Sequence, residues 1–217
     1  MAYGAKIECW GDYACFTRPE MKVERVSYDI ITPSAARGLA EAIFWHPGLR
    51  YVIDRIYLLS PIKFTNVRRN EINSKTGADE MRKAAKSGKA VYRVAANDRA
   101  QRAAMILKDV HYCIELHFEM AGKANASDNP AKFHEMLCRR AAKGQCYHQP
   151  YFGCREYPAR FRLMADEEQI NTYPETRDLG YMLYDMDYGN PQDIKPMFFH
   201  AYLSDGVMDL RDCEVHR

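Results

Sequence analysis

Nowhere in its 217 residues does the chain hold an apolar run near the roughly 18 residues that a membrane-crossing helix requires. The first residues, Met1-Ala2-Tyr3-Gly4-Ala5-Lys6, contain no apolar signal core. The acids Glu8 and Asp12 that follow do not belong in a transit peptide. A cytoplasmic protein with no membrane partner is the expectation. The seven cysteines are odd in number, and none stand as C-x-x-C. That spacing argues against a zinc knuckle or a disulfide framework and for reduced structural thiols. Also missing are a G-x-x-x-x-G-K-[ST] phosphate loop, a G-x-S-x-G elbow and an H-E-x-x-H zinc helix. No repeat, heptad or low-complexity stretch stands out. A composition 47% hydrophobic and 12% aromatic is enough to build a core and argues against disorder.

The net charge of +2 is small, but its distribution is not even. Residues 61–110 carry twelve basic and five acidic side chains, and residues 111–163 carry eight and five. Residues 164–217 carry four basic and twelve acidic. A basic middle of this kind attracts polyanions and makes their binding salt-sensitive.

Along the chain, Ile7 to Phe16 reads as a strand. Thr32-Pro33-Ser34 opens a helix, with Ala35, Leu39, Ala42, Ile43 and Trp45 as its apolar stripe and His46-Pro47-Gly48 as its stop. Tyr51 to Phe64 is strand-like. Residues 65–100 are polar and basic with little periodicity and read as an extended insertion. Met105 to Phe118 alternates with period two, so one face of that strand is expected to be buried. Asn129-Pro130 caps a second helix that runs to about Lys143 and stops at Gly144. Tyr147 to Leu163 is aromatic and strand-like. The order is that of an α+β, ferredoxin-like (RNA-recognition-type βαββαβ) domain over residues 1–163 with a basic insertion at 65–100. An acidic C-terminal β extension, 164–217, follows, with strand-like pieces at Gly180–Tyr184 and Met197–Leu203.

Two features point to nucleic-acid chemistry. Arg68, Arg69 and Asn70 begin the insertion and suit phosphates and unpaired base edges. Lys75, Arg82 and Lys83 extend that positive surface, as do Arg139 and Arg140 on the second helix, and Tyr92 can stack on a base. The second helix starts Pro130-Ala131-Lys132-Phe133-His134. RNA cleavage needs a base for the 2′-hydroxyl, positive charge on the phosphorane and an acid for the leaving oxygen, and Lys132 with His134 can supply these. His46 ends the first helix and can approach the same cleft. His111, Glu115, His117 and Glu119 share one strand face, where neighbours splay too widely to chelate a metal unaided.

Four stretches together resemble the type I-C CRISPR-associated precursor-crRNA endoribonucleases, the Cas-five variant d family. They are Trp10-Gly11-Asp12-Tyr13-Ala14-Cys15-Phe16-Thr17; Ala40-Glu41-Ala42-Ile43-Phe44-Trp45-His46-Pro47; Val52 to Ile56 leading into Pro61 to Glu71; and Gly144 to Glu156. They stand in the family's order and span nearly the whole chain. The resemblance implies metal-independent, cofactor-free cleavage of precursor crRNA at the repeat hairpin. It also implies retention of the 5′ handle, assembly with the other subunits of a type I-C effector complex, and DNA as a further partner. The family's catalytic set is a tyrosine in the first helix and an adjacent Lys-His pair at the second. Here the lysine falls on Lys132, the histidine on Phe133 with His134 one residue later, and the tyrosine on Phe44. The implied catalytic residues are therefore Lys132, His134 and His46. Two alternatives stay open: a non-catalytic scaffold holding the crRNA handle, which Phe44 and Phe133 favour, and a nonspecific nucleic-acid-binding protein or DNase.

Overall fold

The alternation expected of the first strand governs β1 (Gly4–Ala14): Ala5, Ile7 and Cys9 are buried, while Lys6, Glu8 and Trp10 line the other face. The structure is a computed structural model describing residues 3–122 and 124–217. After β1 come a two-residue strand β2 (Arg25–Val26), helix α1 (Pro33–Ile43), β3 (Leu49–Leu58), β4 (Phe64–Ile72), helix α2 (Ala78–Ser87) and β5 (Arg99–Met120). Helix α3 (Pro130–Ala142), β6 (Arg160–Leu163), β7 (Arg177–Asp187), β8 (Lys195–Leu203), β9 (Val207–Asp209) and β10 (Val215–His216) complete the chain.

The central strands lie in the order β6-β1-β5-β3, every neighbour antiparallel. Helix α1 connects β1 to β3, and α3 connects β5 to β6, which is the split βαβ arrangement repeated twice. Both helices cover the face carrying Ile7, Ile53, Ile56, Ile114 and Leu116. The helix starts follow from their caps. The Thr32 side chain accepts from Ala35 N–H and the Asn129 side chain from Lys132 N–H, each with proline next. Gly144, at φ 63°, follows the end of α3 in the left-handed region.

Three expectations need refinement or correction. Residues 65–100 extend from the core as an insertion, but a regular one. β4 pairs with the outer half of β5, from Phe64↔Leu107 to Ile72↔Arg99, as a hairpin arm that carries α2. The arm escapes a hydrophobicity reading because α2 buries no residue and β4 only alternates between exposed and half-buried positions. β5 passes from sheet to arm at Asp109, whose φ of 54° is tolerated by a short polar side chain. Second, Tyr51 to Phe64 is not one strand: β3 stops at Leu58 and β4 starts at Phe64. Third, of Tyr147 to Leu163 only Arg160–Leu163 is strand. The aromatics before it fill the core from a loop, with Phe152 and Tyr157 buried. That loop is pinned at Gly153 (φ 77°), where a Cβ would lie 2.0 Å from the Cys15 carbonyl oxygen.

The C-terminal segment makes a separate three-stranded sheet, β10-β8-β7, and then β9 returns to pair with β3. Met208 and Leu210 join the same hydrophobic core as β1 and β5. Asp209 locks this return by accepting from Arg55 on β3 at 3.2 Å and from Arg211 Nε at 2.9 Å. Arg211, with Arg55 behind it, holds the Asp209 carboxyl below the usual carboxylate range. A depressed carboxyl stabilises the fold above its unfolded pKa of about 3.9 and loses that contribution as pH falls through the folded value. Asp209→Asn is therefore expected to lose stability less steeply than the native chain below about pH 4 in denaturation followed by circular dichroism; equal slopes refute the lock. No helix among the described residues is long and apolar enough to cross a membrane.

Candidate nuclease site

The first turn of α3 places Phe133 inward, and Lys132 and His134 come with it. Phe133 is 1% exposed and packs against Phe44 (ring centroids 6.1 Å apart), His46 (4.9 Å) and Phe118 (6.3 Å). At 100° per residue, Lys132 and His134 then emerge on opposite flanks of the Phe133 side chain, about 200° apart around the axis.

On one flank, Asp128 gathers two of the expected residues. Its Oδ1 lies 3.0 Å from Lys132 Nζ, and its Oδ2 lies 3.7 Å from His46 Nε2. Oδ2 also accepts from Asn125 N–H at 2.9 Å. The Asn125 N–H and then the Lys132 ammonium hold the Asp128 carboxyl below its ordinary range. His46 Nδ1 accepts the Gly48 N–H at 3.0 Å, so its proton sits on Nε2. Glycine is required at 48 because a Cβ there would stand 2.7 Å from Ala124, and Gly48 O accepts Ala121 N–H. This close approach brings the 124–129 segment, and Asp128 with it, against His46.

On the other flank, His134 Nε2 lies 3.0 Å from the Gly4 carbonyl oxygen at the start of β1, and its ring meets Tyr3 at 5.7 Å. A carbonyl can only accept, so Nε2 carries a proton. The structure thus joins Lys132 to His46 through Asp128 and leaves His134 apart from them. Phe44 is buried beneath the Arg140 guanidinium, 5.3 Å from its ring. Nor do the first-turn N–H groups of α3 form an open anion nest. Pro130 has none, Asn129 takes those of Lys132 and Phe133, and only the Ala131 N–H is left.

The basic residues divide in the same way. On a strand, neighbours face opposite sides. Arg68 lies with Asn66 and Asn70 on the exposed face of the arm, whereas Arg69 turns to Glu156 and the Tyr157 hydroxyl and lies over the Tyr157 ring at 5.0 Å. Arg82 pairs with Asp79 one turn away. Arg140 donates to the Ile43 carbonyl at 3.1 Å, closing the end of α1. Among the described residues the side chains of Arg68, Lys75, Lys83 and Arg139 have no such partner. A group of this kind exchanges counterions for a phosphate. Arg68→Ala is expected to weaken RNA binding across sequences and to lower the slope of log affinity against log salt by about 1. Arg69→Ala should leave that slope nearly unchanged; the reverse ranking overturns the division.

The strand face weighed for metal binding is occupied by internal pairs. His111 meets Glu8 at 2.6 Å, His117 meets Asp54 at 2.8 Å, and Glu115 accepts from Arg55 at 3.1 Å and from Tyr57 at 2.5 Å. Burial, followed by Glu115, pushes the Tyr57 phenol up to about 12. Sequence reasoning missed Asp128 and the Gly4 carbonyl. The first had a signal, since Asp128-Asn129-Pro130 sets a carboxylate four residues before Lys132. The second, a backbone contact across 130 residues, had none.

Residues 5–211 match the Cas5d family, described as CRISPR-associated protein (Cas_Cas5). A relative from Mannheimia succiniciproducens, named CRISPR pre-crRNA endoribonuclease Cas5d, is 50% identical over 217 residues, covering 97% of this chain and 96% of its own. A relative of the same name from Thermus thermophilus is 38% identical over 222 residues, covering 94% and 90%. A solved CRISPR-associated protein superposes with a TM-score of 0.70 at 21% identity over 99% of this chain and 96% of its own. The functionally uncharacterized protein SMU1763c from Streptococcus mutans gives 0.69 at 21% identity over 99% and 97%. These two establish a shared fold. With half its positions identical to one curated relative along nearly its full length, the chain belongs to the Cas5d family of CRISPR-associated proteins.

Proposed function

We propose that the chain is a cytoplasmic endoribonuclease that cuts precursor crRNA at its repeat hairpin through 2′-hydroxyl attack, without a metal ion. The observation that carries this reading is the pairing of Lys132 and His46 around Asp128 at the start of α3, in a chain half identical to a protein named for that activity. In this mechanism the 2′-oxygen attacks phosphorus and the 5′-oxygen leaves, giving a 2′,3′-cyclic phosphate and a 5′-hydroxyl. A phosphate arriving at α3 displaces Asp128 from Lys132, and the ammonium then stabilises the charge that grows on the non-bridging oxygens. His46 has its basic nitrogen occupied by Gly48, so the neutral ring donates a hydrogen bond from Nε2–H to the phosphate without giving up its proton, and water protonates the leaving 5′-oxygen. His134 lies on the opposite flank of α3, held to the Gly4 carbonyl, and takes no part in this step; the 2′-hydroxyl proton passes to solvent. The extension 164–217 buttresses α1 through Asp185, which accepts from Arg37 at 2.8 and 2.9 Å. The crRNA handle and the other subunits of a type I-C complex are the partners in this reading.

Repeat RNA incubated with the purified chain in chelator tests it. The expected result is one cut per repeat, abolished when the ribose before the scissile phosphate lacks its 2′-hydroxyl. Cutting of that deoxy substrate refutes the mechanism. The burial of Phe44 and Phe133 favours a second reading, a scaffold that holds the handle without cutting; tight handle binding with no cleavage by the purified chain selects it.

A further inference from the structure

We propose that Trp45 and Tyr147 form a stacking platform for unpaired nucleobases beside the cleavage site, with Arg139 and Lys143 holding the phosphates between those bases. The proposal rests on the nucleic-acid reading of the site but not on its catalysis. It begins with the end of α1, whose last carbonyls need donors. Ala42 O takes the N–H groups of Tyr147 (2.8 Å) and His148 (3.3 Å), and Ile43 O takes the Arg140 guanidinium. The other end of this loop is tied down too, since Gln145 N–H donates to Arg140 O at 2.9 Å. Tyr147 is thereby fixed at the end of α1 with its ring 81% exposed.

Trp45 follows the same end of α1. Phe44 is extended (φ −148°, ψ 123°) and buried. His46 lies on Phe133. Between two inward neighbours Trp45 points outward and is 57% exposed. A single exposed aromatic needs no explanation. Two large rings held by the same helix end, one residue from His46, with two exposed cations on the adjoining turn of α3, match what a single-stranded RNA requires. Every base has a π-face, and aromatic stacking tolerates sequence while demanding that the base be unpaired. The ligand class is therefore single-stranded RNA, two or so nucleotides next to the scissile linkage, and not duplex.

The chain has two tryptophans, so Trp10→Phe leaves Trp45 as the sole indole emitter. The probe is an uncleavable 2′-O-methyl oligoadenylate, compared with an abasic oligomer of the same length and charge and with a 2′-O-methyl duplex. The single strand is expected to quench Trp45 emission, and the other two are not. Tyr147→Ala and Trp45→Ala should each weaken oligoadenylate binding about tenfold, measured by filter retention, while Trp45→Phe restores most of it. Equal quenching by the abasic oligomer, or affinities within twofold for both alanine variants, overturns the platform. A chain that cuts nothing yet shows base-dependent quenching loses the nuclease reading and keeps the platform. A doubly substituted chain that cuts and binds normally does the reverse.

Discussion

Lys132→Ala is expected to cut repeat RNA about 10²–10³-fold more slowly at saturating substrate while folding as the native chain does. The reasoning starts from the resting ion pair. The Lys132 side chain is 45% exposed, and its partner Asp128, 2% exposed, is enclosed by Lys132, His46 and the Asn125 backbone. Removing the ammonium leaves that carboxylate with the Asn125 and His46 contacts, so the variant loses some stability but keeps its fold. Asp128 keeps its bond from Asn125 N–H in the variant. The rate is a different matter, because among the described residues no other lysine or arginine shares this carboxylate, and the helix N-terminus has spent most of its own donors on the Asn129 cap. Among those residues, developing charge on phosphorus would then meet the Ala131 N–H and the His46 Nε2–H alone. Lys132→Arg should recover part of the rate, since guanidinium keeps the charge but presents it as a planar fork. Single-turnover cleavage in chelator, with affinity measured separately on deoxy-substituted RNA, separates the two effects. A Lys132→Ala rate within threefold of native would remove this lysine from the mechanism.

What was legible in the sequence was whatever depends on neighbours along the chain. Thr32 and Asn129 announce α1 and α3 because a cap is a local bond between a side chain and an N–H three residues on. The alternation from Val110 to Phe118 revealed a strand with one buried face, and Tyr112, Ile114 and Leu116 are buried. The arm was illegible for the opposite reason. A hairpin with one face in solvent and the other only half-buried has little need for an apolar stripe, so β4 looks like a charged loop. Once β4 is a strand, Arg68 and Arg69 cannot act as a pair. One faces solvent and the other is consumed by Glu156 and Tyr157.

The candidate site was legible as residue types and not as an arrangement. Lys132 and His134 look like partners two apart in sequence, yet two helical steps carry a side chain past half a turn. His46 is the more distant in sequence, and it is the one that the structure joins to Lys132, through a carboxylate that reads in sequence as part of a cap. Tertiary contacts of this kind depend on Gly48 allowing the 124–129 segment to close in, which no periodicity records.

Phe133→Ala is expected to be the most damaging single truncation in the site, lowering stability by about 3–5 kcal/mol. For a chain of this length each kcal/mol corresponds to roughly 2–4 °C in Tm, so a fall of about 10 °C is the expected reading from thermal denaturation. The ring is 1% exposed and stands between Phe44, Phe118 and His46. Deleting it opens a cavity that the ends of α1, β5 and α3 can collapse into only by shifting their own backbones. His46 would lose the ring it lies on, so cleavage measured well below the lowered Tm should fall as well, whereas Phe133→Leu should keep most of both properties. Phe133 is thus the residue that holds Lys132 and His46 apart from His134. A Phe133→Ala chain that loses under 1 kcal/mol would mean that some other contact sets the spacing of Lys132, His46 and His134.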